Sequence, residues 1–386
     1  MDFQLSDAQC ELKEAAQRFA REQMVPIAEE IEKSGEALSR NWLRRYAEMG
    51  FLGINVPEAY GGMGLGNLEA LLVLEEFAKV SSAVAFPIFE SSVGPVRAVE
   101  HFASETLKQR IVPRVCRGEM IVAVAMSEPG AGSALTDLKT RAEISGDKIV
   151  INGNKRWCSG GGHSDAYVVY CRLSDAPGAK GIGAVLVEKE TKGVSFGEQE
   201  SLMGFRGIPS ADIYFDNVEV PADNLIVPAG GFPKLMEAFD LERCGNATMA
   251  LAQAVGALED VVDYVQERQQ FGKAIVEFQA VQLKLAEMAM RVEAARLLIH
   301  RAAVNSQDGL PSIYESSTAK CFTNEIAREV TGSALQLMGG YGYSKEYPME
   351  RRMRDAWGWG IAGGTIDIQK INIAAAMVGR RFNQRG

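Results

Sequence analysis

The sequence of 386 residues contains little histidine and no spaced ligand pairs of the kind that hold a metal. Its 3 histidines, His101, His163 and His300, lie far apart along the chain. Its 6 cysteines form no Cys-x-x-Cys pair and stand in apolar surroundings. Zinc needs clustered thiolates and imidazoles, so we expect no metal site. Scattered thiols are typical of a reduced protein, so we predict a cytoplasmic location.

Excess positive charge and long apolar runs are also missing. Lys and Arg number 41 against 50 Asp and Glu, and the net charge of −9 disfavours nucleic-acid binding. No apolar stretch reaches the roughly 18 residues that a membrane span needs. The first residues carry neither the basic nor the apolar part of a signal peptide. With 47% hydrophobic and 24% charged residues, the composition favours a globular protein with a sizeable core.

Hydrophobic patterning divides the chain into three blocks. Residues 1–120 repeat apolar side chains at intervals of three and four, which predicts helices. Residues 121–230 contain short β-branched segments separated by Gly, Asp and Pro, which predicts an antiparallel β domain. Residues 231–386 return to long helical patterns that are apolar over much of their circumference. We therefore predict an α+β fold with a helical domain, a middle β domain and a second helical domain.

Glycine-rich segments in the middle block could approach a ligand closely. SEPGAGS (127–133) combines glycines with serine, which can bring amide groups near a phosphate or a flavin edge but also forms ordinary turns. It is not a dinucleotide fingerprint, because no GxGxxG opens a helix. NGNKRWCSGGG (152–162) places Trp157 at a strand end, where it either stacks on a planar ring or packs in the core.

Three further motifs lie in the last block. ERQQFGKAI (267–275) sets Arg268 beside Phe271 at a helix end, which by itself indicates a surface arginine. QLMGGYGY (336–343) is a glycine-rich helix terminus whose amides could face an anion or a cofactor. RDAWGWGIAGGTIDIQ (354–369) contains a run of small residues against which a ligand could lie.

Together these motifs resemble the acyl-CoA dehydrogenases in order and approximate spacing, over essentially the whole chain. The resemblance implies a helical N-terminal domain, a middle domain similar to a β-barrel and a C-terminal four-helix bundle. It also implies bound FAD, a homotetramer, and α,β-desaturation of an acyl-CoA with electron-transfer flavoprotein as the electron acceptor.

The resemblance assigns cofactor contacts in the middle domain. Met126 and Ser127 match a strand end that contacts the flavin ring, and Ser133 matches a loop that meets both the cofactor and the CoA chain. Trp157 matches a tryptophan beside the isoalloxazine, and Ser159 matches a hydroxyl near flavin N5.

The contacts implied in the C-terminal domain include residues that reach the FAD of a neighbouring subunit. Those cross-subunit residues are Arg268, Phe271, Gln336, Gly339 and Gly340. Thr365 matches an FAD contact of the last motif, whereas Asp367 departs from the Glu or Gln common there.

The catalytic base is the informative departure from the family pattern. Most members carry a Glu directly before the Gly-Thr of the last motif, where this chain has Gly363. A minority, resembling isovaleryl-CoA and long-chain dehydrogenases, carry it in Asp-Leu-Glu-Arg, and this chain has that sequence at residues 240–243. A lone Glu is usually a solvated charge, but the loss at 363 together with the gain at 242 predicts that Glu242 is the base. The amide of Gly363 is then the candidate donor to the thioester oxygen.

The resemblance also predicts where the substrate lies. Phe239, Asp240 and Arg243 are expected along the pantetheine and CoA, and Phe86 and Phe89, on a helix around 80–96, along the acyl chain. The small residues at 362 and 363 leave space for a bulky branched, alicyclic or aromatic acyl group.

Alternatives from other classes stay open at this point. Arg206 is either a surface residue or a substrate contact like that of relatives acting on 3-sulfinopropionyl-CoA. The other hypotheses are a desulfinase-like enzyme, an acyl-CoA or nitroalkane-type oxidase, an inactive partner subunit and a scaffold without cofactor.

Overall fold

The residues of the first block form helices, as their apolar periodicity predicts. The computed structural model of the chain describes residues 3–382. The first helix, α1 (Asp7–Phe19), begins at a capping box: Ser6 Oγ accepts from the Gln9 amide, and the Gln9 side chain accepts from the Ser6 amide. A π-helical turn follows at Ala20–Met24. The other helices of this block are α2 (Val25–Ser34), α3 (Arg40–Glu48), α4 (Asn67–Val80), α5 (Ser82–Ser92), α6 (Val96–Phe102) and α7 (Glu105–Cys116).

The helix predicted around 80–96 is shorter than the pattern indicated. Ser81 adopts an extended backbone between α4 and α5, and its side chain accepts from the amide of Ala83 at 3.2 Å. This cap starts α5 afresh, because a serine side chain satisfies an amide that has no helical partner. Gly94 and Pro95 separate α5 from α6. α5 is therefore a short, almost fully buried helix.

The middle block forms one open sheet of mixed pairing. Its strands are β1 (Val122–Ala125), β2 (Arg141–Ser145), β3 (Lys148–Ser159), β4 (Ala166–Arg172), β5 (Ile182–Glu188), β6 (Val194–Phe196), β7 (Ser210–Pro221) and β8 (Leu225–Val227). Their order is β6-β7-β3-β2-β4-β5-β8, and β1 pairs with β4. Most pairs are antiparallel as predicted, but β1 and β2 both run parallel to β4. Within residues 3–382 the two end strands do not pair, so the sheet is β-rich without closing into a barrel.

Long helices return in the last block, as predicted. They are α8 (Phe232–Glu267), α9 (Gln279–Val304), α10 (Ile313–Met338), α11 (Gly340–Tyr343), α12 (Met349–Trp359) and α13 (Ile366–Met377). A two-stranded hairpin, β9 (Gln269–Gln270) and β10 (Lys273–Ala274), separates α8 from α9. α8 has 36 residues and packs against α4, α9, α10 and α12. The helix-sheet-helix order predicted from patterning is confirmed. No helix within residues 3–382 is long and apolar enough to cross a membrane.

A buried ion pair holds the glycine-rich loop that follows β1. Lys155 on β3 is 0% exposed, and its Nζ donates to Glu128 Oε1 at 2.8 Å and to the carbonyl of Met126 at 3.1 Å. Glu128 also accepts from the amides of Lys139 at 2.5 Å and Thr140 at 2.9 Å. One carboxylate thus joins both ends of this loop to the neighbouring strand.

Replacing this carboxylate should destabilise the fold strongly. We expect Glu128→Ala to lower the free energy of unfolding by about 3–5 kcal/mol, because Lys155 would be left as an uncompensated buried charge. Urea unfolding at one fixed protein concentration is the measurement. Glu143→Ala, which removes an exposed partner of Arg141, is the control and should change stability little. An equally small effect at 128 would contradict the ion-pair account.

Candidate active site

Glu242 lies on α8, between the buried residues Leu241 and Arg243. Its carboxyl group is surrounded by protein, and this burial raises the pKa of Glu242 to about 8, while Lys320 and Arg243 oppose the shift. A carboxyl with a pKa near neutrality can accept and release a proton under physiological conditions. Glu242 itself is partly exposed, and its neighbours on α8 include the buried polar residues Asp240, Arg243 and Asn246.

The loop between α12 and α13 lies directly opposite this part of α8. Gly363 has a left-handed backbone, with φ of +65°. A Cβ atom at 363 would lie 3.6 Å from Phe239 Cζ, 3.7 Å from Asn246 Nδ2 and 3.2 Å from Lys320 Nζ. Phe239 and Asn246 are on the same helix as Glu242, about one turn before and after it. The structure therefore brings positions 242 and 363 to one site.

Hydrogen bonds fix this loop from two sides. Lys320 on α10 donates to the carbonyl oxygens of Ala362 at 2.5 Å, Gly363 at 2.7 Å and Gly364 at 2.8 Å. Asn246 Nδ2 donates to the carbonyl of Ala362 at 3.3 Å. By contrast, the amides of Gly363, Gly364 and Thr365 donate to no acceptor within residues 3–382. Three unpaired backbone donors thus remain in this loop.

Phe239, Asp240 and Arg243 form a compact cluster on α8. Asp240 accepts from Arg243 and, at 2.7 Å, from Ser316 Oγ, and both charged residues are buried. The guanidinium of Arg243 lies 5.2 Å from the centre of the Phe239 ring. Burial raises the pKa of Asp240, which its contacts with Arg243 and Ser316 oppose. The Arg243 Nε is buried and has no hydrogen-bond partner in the described chain.

Aromatic side chains of α5 border the same region. The rings of Phe86 and Phe89 stack at 5.6 Å, and Phe89 also contacts Trp359 at 6.1 Å. A Cβ atom at Gly245 would lie 2.9 Å from Phe89, so α5 approaches α8 one turn beyond Glu242. The two predicted aromatic residues therefore lie beside the predicted base.

Glu90, the residue after Phe89, was missed by sequence reasoning. It is 6% exposed, and within residues 3–382 its carboxyl makes no hydrogen bond. Burial raises its pKa well above the usual range; Glu242 and Asp165 add to this shift, and Arg40 opposes it. Because the charge of Glu242 contributes to this pKa shift, Glu90 lies near Glu242. Only its position directly after a predicted pocket residue could have marked it.

The predicted flavin contacts of the middle domain gather where β1 and β3 end. Met126 and Ser127 follow β1 directly, and the carbonyl of Ser127 accepts from the Arg156 amide at 2.8 Å. Trp157 lies in a β-bulge of β3 with φ of 59°, a backbone that bulky residues rarely adopt. This conformation leaves its ring 52% exposed and stacked on the Arg156 guanidinium at 4.1 Å. The exposed indole ring of Trp157, held by a strained backbone, is therefore able to stack on a planar ligand.

The neighbouring backbone is open as well. A Cβ atom at Gly130 or Gly132 would meet nothing within 4 Å, and Ser133, which follows them, is exposed. Ser159 is the last residue of β3 and pairs with Ser210 of β7. Thr365 caps α13 by accepting from the Ile368 amide at 3.4 Å.

A separate groove of about 520 Å³ contains most of the predicted cross-subunit residues. Arg268, Gly339 and Gly340 line it, and the guanidinium of Arg268 lies 5.5 Å from the Tyr341 ring centre. Phe271 stands at the tip of the β9–β10 hairpin with 93% of its surface exposed. Gln336 is exposed on the last turn of α10. None of the middle-domain flavin contacts lines this groove, so one chain carries two separate sets of predicted cofactor residues.

Arg206 does not belong to the site. Its Nε donates to the carbonyl of Glu32 at 2.7 Å and its Nη2 to that of Lys33 at 3.3 Å, both at the end of α2. Here it links the loop before β7 to the N-terminal domain. No group of three or more His, Cys, Asp or Glu within residues 3–382 could hold a metal ion.

Comparison with known proteins agrees with this arrangement. Models of the acyl-CoA dehydrogenase N-terminal, middle and C-terminal domains match residues 6–119, 123–218 and 229–378. The chain therefore belongs to the acyl-CoA dehydrogenase family. These are FAD-dependent oxidoreductases that act on the CH–CH group of an acyl-CoA.

Individual relatives cover nearly the whole chain. It is 39% identical to the acryloyl-CoA reductase (NADH) of Anaerotignum propionicum, over 98% of this chain and 97% of that protein. It is 37% identical to the 3-sulfinopropanoyl-CoA desulfinase of Paraburkholderia xenovorans (strain LB400), over 99% of both. Its structure matches butyryl-CoA dehydrogenase from Megasphaera elsdenii with a TM-score of 0.94 at 33% identity, covering 98% of this chain and 100% of that one.

Proposed function

We propose that this enzyme desaturates an acyl-CoA between its α and β carbons, with Glu242 as the base that removes the α-proton. The observation that carries this proposal is the carboxyl of Glu242, which has a pKa of about 8 and lies on the part of α8 that packs against Gly363. A carboxylate in a dry site is a stronger base than one in water, because burial disfavours its charged form.

The residues present fit an FAD cofactor. When bound, FAD would supply the acceptor for the hydride that leaves the β-carbon. Trp157, Met126, Ser127 and Ser159 would hold its ring system, and Thr365 would contact it from the start of α13. We also propose that Ser133 lies between the cofactor and the CoA chain.

Loss of the α-proton places negative charge on the thioester oxygen. The unpaired amide of Gly363 is positioned as a donor to that oxygen, and preorganised donors of this kind stabilise a developing oxyanion. Asp240 and Arg243, with Phe239, would border the pantetheine.

We propose a bulky branched, alicyclic or aromatic acyl group as substrate. Gly363 and Ala362 carry no large side chain near Glu242, whereas most of the family has a carboxylate at position 363. Phe86 and Phe89 supply an apolar wall on α5. Such a wall favours apolar acyl chains, because burial of apolar surface drives their binding.

A desulfinase-like activity is the second candidate, since the desulfinase relative covers the whole chain. Two features favour dehydrogenation instead: Glu242 supplies a base, and Arg206 is bound to α2. A panel of acyl-CoAs and 3-sulfinopropanoyl-CoA, scored by flavin bleaching and by sulfite release, separates the two. An oxidase would instead be recognised by rapid reoxidation of the reduced flavin by oxygen.

We further propose that copies of this chain assemble into a homotetramer that shares its cofactor sites. α13 is rich in Ile and Ala, yet only Gln369 of this helix is buried in the single chain. α9 exposes Leu283, Met290, Leu297 and Val304 at intervals of seven residues. Apolar stripes of this length are typical of helix contacts between subunits.

In this tetramer the groove of Arg268, Gly339 and Gly340 would hold the adenosine end of the FAD bound by a second copy. Gln336 and the exposed Phe271 would contribute to the same cross-subunit site. We propose electron-transfer flavoprotein as the electron acceptor and the cytoplasm as the location, in agreement with the free thiols of all 6 cysteines.

The first test removes the base. Glu242→Gln should keep FAD and CoA binding but slow flavin reduction by orders of magnitude, because the amide keeps the shape and cannot take the proton. Single-turnover bleaching with the best acyl-CoA of the panel is the measurement. Glu237→Gln, an exposed position on the same helix, is the matched control. Undiminished bleaching of the Glu242 variant would show that another group is the base.

The second test follows pH. Glu242 must be ionised to act, and its pKa is raised to about 8 in the folded protein. The rate of flavin reduction should therefore increase as pH rises through about 8 and level off above it. Flavin absorbance recorded in parallel shows that the cofactor stays bound. A rate already constant from pH 6 upward would contradict a base with a raised pKa.

The third test addresses the shared site. Arg268→Ala should weaken FAD retention more than chain stability, because it removes a charge-assisted contact to the pyrophosphate. FAD loss and dissociation of the tetramer should occur together in size-exclusion chromatography with absorbance detection. Arg117→Ala, which removes an exposed partner of Glu119, is the control. A stable apo-tetramer, or a fully loaded dimer, would argue against cofactor sites shared between copies.

A further inference from the structure

Lys320 is a buried lysine without a carboxylate partner, and burial lowers its pKa well below the usual range. It is 0% exposed on α10, and within residues 3–382 it forms no ion pair within 4 Å. Its Nζ instead donates to three successive backbone carbonyls, those of Ala362, Gly363 and Gly364. A buried charge is costly unless its hydrogen bonds are satisfied, and here three acceptors match the three N–H donors of an ammonium. A neutral amine has only two.

The direction of these bonds determines where the loop amides point. In a planar trans peptide the C=O of one residue and the N–H of the next point in opposite directions. The carbonyls of Ala362, Gly363 and Gly364 point to Lys320 on α10, so the N–H groups of Gly363, Gly364 and Thr365 point away from it. All three amides lack an acceptor within residues 3–382, and those of Gly363 and Gly364 belong to the glycines that lie opposite α8.

We propose that Lys320 is a positioning residue that holds the 362–364 loop so that the amides of Gly363 and Gly364 together bind the thioester oxygen. The inference rests on the proposed acyl-CoA chemistry. It adds a second backbone donor and assigns the residue that orients both. The left-handed backbone at both glycines, with φ of +65° and +86°, suits residues without a side chain.

The charge of Lys320 has a second effect, on the base. It lowers the pKa of Glu242, and Glu242 in turn raises that of Lys320 against the lowering by burial and Arg243. Removing the ammonium should therefore shift the pH midpoint of flavin reduction upward. The other ionisable groups that act on or respond to Glu242 are Arg243 on α8, Glu90 on α5 and Tyr170 on β4.

Two variants separate positioning from charge. Lys320→Met keeps the length of the side chain but removes both the charge and the donors. Lys320→Arg keeps the charge, but its planar fork cannot reproduce three donations that converge from one nitrogen. Lys370→Met, which removes an exposed partner of Glu325, is the control.

The main readout needs no turnover. A ¹³C-labelled thioester carbonyl of a bound acyl-CoA absorbs at lower infrared frequency when it accepts strong hydrogen bonds. In the holoenzyme we expect this lowering to be lost in Lys320→Met and Lys320→Arg, and kept in Lys370→Met. With a substrate, Lys320→Met should reduce single-turnover flavin reduction by about 10²-fold, as for loss of one oxyanion donor. The midpoint of the pH profile should rise in Lys320→Met and stay in place in Lys320→Arg.

An unchanged carbonyl frequency in a folded, FAD-bearing Lys320→Met would overturn the proposal. If Lys320→Met does not fold, the carbonyl frequency in Lys320→Arg is the test instead, because this variant retains the buried charge. An unchanged frequency in Lys320→Arg would then overturn the proposal. The infrared result is independent of proton removal. Full activity of Glu242→Gln would therefore refute the assigned base while leaving the positioning role of Lys320 separately tested.

Discussion

The contact between α8 and α10 brings Glu242 and Lys320 close together without a hydrogen bond between them. Lys320 uses its three donors on the carbonyls of the 362–364 loop, so Glu242 receives the field of the ammonium without a direct hydrogen bond from it. A direct ion pair would hold the carboxylate in its charged form and weaken it as a base. Keeping the cation on the backbone leaves the carboxyl available for proton exchange.

The opposite side of the site is fixed by the same means. Lys155 is as fully buried as Lys320, and it also donates to a backbone carbonyl, that of Met126, at the edge where the flavin is proposed to lie. The difference is that Lys155 also has a carboxylate partner, Glu128. Two buried lysines thus hold the two backbone segments between which the cofactor and the thioester would meet. Backbone held in this way is rigid, and reaction geometry tolerates little displacement.

Sequence patterning predicted the long, strongly periodic elements and missed those that depend on tertiary contacts. α8 and β3 were visible because their apolar spacing is regular. β6 and β8 were not, because strands of three residues carry too little pattern. The break at Ser81 was hidden because apolar residues continue on both sides of it and only the serine cap separates the helices.

The predictions for the site residues divide in the same way. The resemblance to the family's motifs predicted roles for Glu242, Trp157 and the glycine loop at 363–364. Lys320 and Glu90 were missed because a charged residue in a helical pattern is usually solvated, and burial of its charge depends on which helix packs against it. The donor direction of the loop amides is likewise set by a contact 43 residues away along the chain.

The uncovered surface of α13 has a consequence for handling the enzyme. This helix begins at Thr365, a proposed cofactor contact, directly after the glycine loop that Lys320 holds. If a neighbouring copy is what covers it, occupancy of the cofactor site becomes a function of total protein concentration by mass action. Dilution to the nanomolar range would then empty sites that are full at micromolar concentration. A low rate in a dilute assay would reflect a shifted assembly equilibrium rather than a slow chemical step.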